Sequence, residues 1–267
     1  MLKLRTLASG SKGNCIYIAT HETEILVDIG LSLPQIEARL TAAEINPNKI
    51  QAILLTHEHI DHIRGLPRML SKYPNCKVYV HTDAENIVSN YLHKQRFHDD
   101  SRIQTFNKPF YIGDININFF EVPHDSKFCF GYTFENENTK ASIATDIGHI
   151  TTDIIQAMAN SKIAVIECNH DLAKLSANVK YPVVLKRRVS GSLGHLSNTA
   201  ASLAIYELAK TNVEQIILAH LSEQNNSPTL AFSFVRDFLA RKGLTEGVDI
   251  SIDVALQDQI GRLYEVN

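Results

Sequence analysis

The stretch HEHIDH, residues 57–62, sets three histidines, a glutamate and an aspartate into six positions directly behind the apolar run AILLT. Imidazole nitrogens and carboxylate oxygens at H-x-H-x-D-H spacing suit a pair of divalent metals. His57 and His59, on alternate positions, can point to one side of a tight loop while Asp61 and His62 face a second ion, and one carboxylate between the ions can bridge them. Nitrogen and oxygen donors without thiolate fit Zn²⁺ or Mn²⁺. Further polar residues stand where apolar runs end: Asp28 after EILV, His124 after FFEVP, Asp146 after ASIAT and His220 after QIILA. A lone histidine at a strand end caps a turn more often than it binds a metal. A cluster with several more residues at strand ends reads differently, because loops at one edge of a sheet core gather such groups around a single site.

Positioning these residues requires a sheet core. LKLRTLAS, CIYIAT and EILVDIG read as short strands separated by GSKGN and THET. LPQIEARLTAAE carries a helical period closed by INPN, and IQAILLT is a strand of the buried type. IRGLPRMLSKY reads as a short helix, KVYVHT as a strand and DAENIVSNYLHK as a helix. FYIGDININFFEVP, FCFGYTFEN and ASIATDIG are strand candidates in a row. From there helices and strands alternate through TTDIIQAMA, KIAVIEC, NTAASLAIYELAK, VEQIILAH, TLAFSFVRDFLARKG and DISIDVA. The mixture favours an α/β sandwich, sheets inside and helices outside. With no repeat, low-complexity stretch or linker, the expectation is one domain over residues 1–267.

The chain has 267 residues, 44% apolar, enough to bury a full core. A net charge of −3 argues against bulk attraction to nucleic acid or anionic membrane, so a polyanionic substrate would need a local basic patch. Cys15, Cys76, Cys129 and Cys168 are scattered without a C-x-x-C pair, which suggests neither a disulfide framework nor a cysteine zinc knuckle. The first residues lack the apolar run of a signal peptide and no later run is long enough to span a bilayer, so the expected location is the cytoplasm.

HEHIDH with His124, Asp146 and His220 downstream resembles the metallo-β-lactamase superfamily, and the likeness covers nearly the whole chain. It implies a four-layer αββα sandwich, two mixed sheets flanked by helices, with the site at one sheet edge. It further implies a first metal on His57, His59 and His124, a second on Asp61, His62 and His220, Asp146 bridging, and Asp28 orienting the histidine loop without touching metal. His59, where iron-binding flavodiiron members carry Glu, disfavours an iron redox role; Asp146, where the antibiotic-cleaving branch has Cys, suits a two-metal clamp. Glu167 in IECNHD and His195 in GSLGHLSN resemble the transfer-RNA 3′-processing nucleases, in which a glutamate orients a histidine facing the phosphodiester. The bland alternative for His195 is a helix-start residue, with Ser197 or Asn198 as the cap.

LASGSKGNCIYI, ILVDIGLS, LLTHEHIDHIRGL, GHLSN and LAHLSEQNN resemble the YycJ (WalJ) family of small bacterial exonucleases. That resemblance implies a 5′-to-3′ DNA exonuclease serving repair, with water activated by two divalent ions, Asp61 orienting it, and His195, held by Glu167, protonating the leaving oxygen. An RNA-processing nuclease and a thioester or lactone hydrolase of the same fold stay open as alternatives. His220 follows Asp146 by 74 positions, too few for a large inserted clamp domain, so core loops must hold DNA. Lys186, Arg187 and Arg188, just ahead of His195, are candidate phosphate contacts, as are Ser11 and Lys12 of SGSKGN, a loop whose simpler reading is a hairpin turn. Cys168 beside Glu167 reads as a small buried residue. Nucleic acid, DNA before RNA, is the expected partner; membrane is not.

Overall fold

Short β-branched runs become strands in the computed structural model, which describes residues 1–137 and 139–266. In chain order they are β1 (Leu2–Ala8), β2 (Cys15–Ala19), β3 (Glu24–Val27), β4 (Ala52–Leu54), β5 (Lys77–His81), β6 (Ile103–Phe106) and β7 (Phe110–Ile112). There follow β8 (Ile115–Glu121), β9 (Phe130–Asn136), β10 (Thr139–Ala144), β11 (Ile163–Glu167), β12 (Gln215–Ala219), β13 (Ser251–Val254) and β14 (Tyr264–Val266). Two seven-stranded sheets result, ordered β14-β1-β2-β3-β4-β5-β6 and β13-β12-β11-β10-β9-β8-β7. Each is antiparallel at one end and parallel at the other, the parallel runs being β3 to β6 and β10 to β13.

Parallel neighbours need crossovers, and helices supply them. α1 (Leu33–Ala42) links β3 to β4; α2 (Ile60–Ile63) and α3 (Leu66–Lys72) lead to β5; α4 (Glu85–Lys94) leads to β6. In the second sheet α5 (Thr152–Met158) joins β10 to β11, and α6 (Leu172–Ala177), α7 (Val183–Val189) and α8 (Asn198–Ala209) join β11 to β12. α9 (Pro228–Arg241) completes the set before β13. Covered on both faces, β4 and β11 are buried at every residue, which is why they read as unbroken apolar runs. One apolar cluster joins β1 to β5 with Ile117, Tyr132 and Phe134 of the other sheet; a second packs β11 and β12 against α5, α8 and α9. The fully buried Tyr132 donates its hydroxyl to the Leu55 carbonyl at 2.5 Å, tying the sheets together where the phenol has lost water. This is the four-layer αββα sandwich with two mixed sheets. No described helix is long and apolar enough to cross a membrane.

Several elements depart from expectation. FYIGDININFFEVP is a hairpin, β7 and β8, because Gly113 takes a φ of 55° and turns the chain. IRGLPRMLSKY is split, and its first turn begins earlier, at Ile60, so Asp61 and His62 sit on helix α2 and not in an open loop. Helices α6 and α7 and strands β6 and β14 had no reading. α7 buries no residue, so it has no apolar stripe to betray it.

Gly30 lies where α2 passes over the loop after β3, and a Cβ there would sit 1.6 Å from the Asp61 carbonyl oxygen. Asn14 N donates to that same oxygen, and Ile29 N donates to the His62 carbonyl, both at 2.8 Å. Gly30→Ala is therefore expected to overpack this junction and cost about 1–3 kcal/mol in denaturant unfolding. An unchanged midpoint would show that the approach is not tight.

Candidate metal centre and catalytic cleft

Asp28 follows β3, the histidine cluster follows β4, Asp146 follows β10, Glu167 ends β11, and His220 follows β12. These are the C-terminal ends of parallel strands, where open α/β sheets present ligand-binding groups. Asp28, Asp146 and His220 have φ of 60°, 59° and 55°. A left-handed backbone is unfavourable for such residues by about 1 kcal/mol or more and tends to be kept at functional sites.

His57, His59 and His124 bring one ligand atom each within 4.8 Å of one another, and so do Asp61, His62 and His220. Asp146 faces both sets: Oδ2 lies 3.3 Å from His62 Nε2, and Oδ1 lies 3.5 Å from His220 Nε2 and 3.8 Å from His124 Nε2. In four of the histidines Nδ1 is already engaged. His62 Nδ1 meets Asp28 Oδ2 at 2.7 Å, His220 Nδ1 meets Glu167 Oε1 at 2.9 Å, His57 Nδ1 meets Thr56 Oγ1 at 3.0 Å, and His124 Nδ1 meets the Gly194 carbonyl at 3.2 Å. An acceptor at Nδ1 fixes the tautomer and, in His57, His124 and His220, goes with an Nε2 that has no hydrogen-bond partner among the described residues. Asp28 also accepts from Thr56 N at 2.9 Å and Thr56 Oγ1 at 2.8 Å, so it anchors the start of the histidine loop.

Nε2 of His57, His124 and His220 and Oδ2 of Asp146 are buried with no hydrogen-bond partner among the described residues. Each such atom costs about 1–3 kcal/mol if left alone. All can act as electron-pair donors, and they converge, so a divalent cation satisfies them together. The donor set fits divalent metal. Its electrostatics are lopsided. Burial, with His62 beside it, keeps His57 well below its ordinary pKa, and burial likewise lowers His124. For His62 burial is outweighed by the carboxylates of Asp28, Asp146 and Asp61, which hold it up at about 9; for His220, Asp146, Asp61 and Glu167 do the same. Against burial, His220 and His62 keep Asp61 below the usual carboxylate range.

Glu167 is wholly buried, and both its oxygens are occupied. Oε1 accepts from His195 Nδ1 at 2.8 Å and His220 Nδ1 at 2.9 Å; Oε2 accepts from Ile147 N and Leu196 N, each at 2.9 Å. Burial opposes its charge, but His195 and His220 outweigh that and hold its pKa low. Glu167 thus positions two histidines. Burial lowers His195 in turn, yet Glu167 prevails and raises it. The His195 side chain keeps 23% of its surface exposed. The helix-start role falls to Ser197, which accepts from Ala200 N at 3.2 Å. Cys168 is a small buried residue, its Sγ 3.1 Å from Asn198 Oδ1, and burial pushes its thiol pKa up.

Of the expected phosphate contacts, Ser11 and Arg188 line a polar cleft of about 250 Å³ that also includes His195 and Ser222. Arg188 Nε bonds Asp125 Oδ2 at 2.5 Å. The others turn elsewhere: Lys186 donates to the Ser176 carbonyl, Lys12 pairs with Glu223 at 2.7 Å, and Arg187 is exposed with no side-chain partner among the described residues. SGSKGN is a hairpin loop whose last residue matters, since Asn14 Nδ2 lies 3.0 Å from His62 Nε2. Asn14 and Asp125 were not anticipated. The His-Asp pair 124–125 at a strand end was a usable signal for Asp125; Asn14 left none.

The model of the β-lactamase superfamily domain matches residues 23–221. Exodeoxyribonuclease YycJ of Bacillus anthracis is 36% identical over 251 residues, covering 92% of each chain. Exodeoxyribonuclease WalJ of Streptococcus pneumoniae is 34% identical over 268 residues, covering 99% of this chain and 98% of that one. The chain belongs to the metallo-β-lactamase superfamily, within its YycJ/WalJ family. Among solved structures of the superfamily fold, zinc-bound PqqB from Methylobacterium extorquens matches with a TM-score of 0.74 at 16% identity, over 99% of this chain and 100% of that one. Human tRNase Z, short form, matches with a TM-score of 0.64 at 14% identity, over 97% and 98%.

Removing metal from this superfamily member with a chelator should abolish hydrolysis of bis(p-nitrophenyl) phosphate and leave the far-ultraviolet circular dichroism intact, because the apolar core forms without metal. Asp146→Ala should lower metal content and rate more than Asp28→Ala, which disturbs one oriented histidine and should cost about 10–100-fold. Small, equal losses would show that Asp146 is not shared.

Proposed function

We propose that this metal-dependent hydrolase is a DNA exonuclease that works 5′-to-3′ with two divalent ions, zinc or manganese, one on His57, His59 and His124, one on Asp61, His62 and His220, with Asp146 between them. The observation that carries the reading is the Glu167–His195 pair, held at 2.8 Å beside Asp146 and beside a cleft with an arginine in its wall. Breaking a natural phosphodiester expels a sugar alkoxide, which needs a proton; a thiolate leaving a thioester does not. The pair therefore favours phosphodiesters over thioesters. DNA is favoured over RNA by the two bacterial relatives, both named exodeoxyribonucleases, and the direction rests on the YycJ resemblance.

When bound, the ions supply positive charge to the phosphoryl oxygens and bring the pKa of a water down to about 7. Asp61 orients that water. Ser11 and Arg188 hold the phosphate. The water releases one proton to solvent, and as its oxygen joins phosphorus the bond from phosphorus to the 3′ oxygen breaks; His195, its pKa raised by Glu167, gives its proton to that oxygen. The nuclease acts as one unit over residues 1–267, and four free, buried cysteines suit the reducing cytoplasm.

End-labelled duplex DNA, single-stranded DNA and RNA, each digested with Zn²⁺ and with Mn²⁺, test the reading. A 5′ label should leave first as a mononucleotide; no cleavage of any of them would end it. His195→Ala should slow DNA cleavage by about 10²–10⁴-fold and largely spare bis(p-nitrophenyl) phosphate, whose nitrophenolate leaves without a proton. Equal slowing of both, with metal content intact, would remove His195 as the acid. Glu167→Gln should slow both substrates, because Glu167 also holds His220.

Arg188→Ala should reduce the slope of log affinity against log salt by about one unit on duplex DNA, while Lys12→Ala should leave it unchanged. The reverse order would show that the cleft is not where phosphate binds.

A further inference from the structure

His195 stands in the wall of two cavities. One is the polar cleft. The other, about 450 Å³, has an apolar wall that includes Ile150, Ile155, Leu172, Ala200 and Leu203, and a polar part that includes His149, His170, Ser197 and Glu207. That volume and lining are typical of small-molecule sites, which run about 300–1,000 Å³ and carry few polar groups. Leu172 and Leu203 in its wall are 52% and 51% exposed, so they are open to a ligand. His170 is an oddity. It is 1% exposed, and neither ring nitrogen has a hydrogen-bond partner among the described residues. Burial pushes its pKa down to about 4, so the ring is neutral and offers one donor and one acceptor. None of these side chains serves the metals or the acid.

We infer that this cavity receives the terminal nucleoside of the DNA strand, its base lying against Leu172 and Leu203 and a polar edge meeting His170. The inference rests on the nuclease reading and deepens it. The oxygen that takes the His195 proton is the 3′ oxygen of the departing nucleotide. The sugar and base attached to it must therefore lie beside His195. Of the two cavities there, the polar one with Ser11 and Arg188 suits the phosphate, and the apolar one suits a base.

The chain contains no tryptophan, so Leu203→Trp places a single fluorescent reporter at the cavity. Metal-loaded Leu203→Trp protein is titrated with deoxyadenosine 5′-monophosphate and, separately, with 2-deoxyribose 5-phosphate. The nucleotide should quench saturably and at a concentration at least about 10-fold lower than the sugar phosphate, the scale expected of one stacked base. Adding Ala200→Phe, which fills the cavity, should abolish that preference. In the cleavage assay, the wild-type protein should act on an abasic terminal nucleotide with kcat/KM about 10-fold lower or more, the loss expected when about 60 Å² of base surface is no longer buried. Ala200→Phe should slow the normal end and leave the abasic end unchanged; if it fails to fold, Leu203→Asp, at an exposed position, takes its place. Equal quenching by both ligands, or equal slowing of both ends, overturns the inference. Cleavage of DNA without any preference for a terminal base would leave the nuclease reading standing and remove the base site. Nucleotide quenching without cleavage would keep the base site and remove the nuclease.

Discussion

The carboxylate of Glu167 holds the catalytic end of the molecule together. A buried, ionised carboxylate is costly unless donors surround it, and a bare one would neutralise. Here four donors come from three segments: Ile147 N just after Asp146, His195 Nδ1 and Leu196 N just before α8, and His220 Nδ1 after β12. One anion therefore sets the strand-end loops of β10 and β12 and the entry to α8 relative to β11. It also links two functions. The charge that orients the His220 ring is the charge that raises the His195 pKa, so the settings of these two histidines cannot be adjusted independently.

Asp28 plays the corresponding part in the other sheet. Both carboxylates sit at the C-terminal ends of parallel strands, and both reach sideways to the loop of a neighbouring strand: Asp28 to Thr56 and His62, Glu167 to Ile147 and His220. Each sheet thus orients histidines with its own buried acid, and Asp146 stands between the two sets. The left-handed backbone at Asp28, Asp146 and His220 is the accompanying strain. At His220 it is held from both sides, since the N–H donates to Ser9 Oγ at 2.7 Å while the ring is held by Glu167.

This division of labour explains what the sequence disclosed. The residues that converge at the candidate metal centre are legible because they follow apolar runs that read as strands, and because HEHIDH crowds them. Glu167 was legible as a partner of His195, but not as a partner of His220, since 53 positions separate the pair and only the β11–β12 pairing brings them together. Asn14 was hidden for the same reason: its contact with His62 is made by a loop whose composition says only turn. Helices α6 and α7 stayed invisible because they bury little, and hydrophobic period is a record of burial. The basic triplet misled on this account. On a mostly exposed helix its members fan out, and only Arg188 lines the cleft.

The charge balance then bears on how such a site would hold a polyanion. The chain is net negative, Lys12 is neutralised by Glu223, and even Arg188 is partnered by Asp125. Each phosphate neutralised on duplex DNA adds about one unit of salt slope, so a site whose arginine already has a carboxylate partner gains less from that term. Two divalent ions would bring more positive charge to the cleft than the arginine does, and bring it within a few ångströms of the groups that would do chemistry. Attraction of that kind is short-ranged, screened beyond roughly 8 Å at physiological salt. It would select the one phosphate that can enter, while contacts away from the metals would come from shape and from apolar surface. A site built this way discriminates by what fits at the strand end more than by how much strand is present.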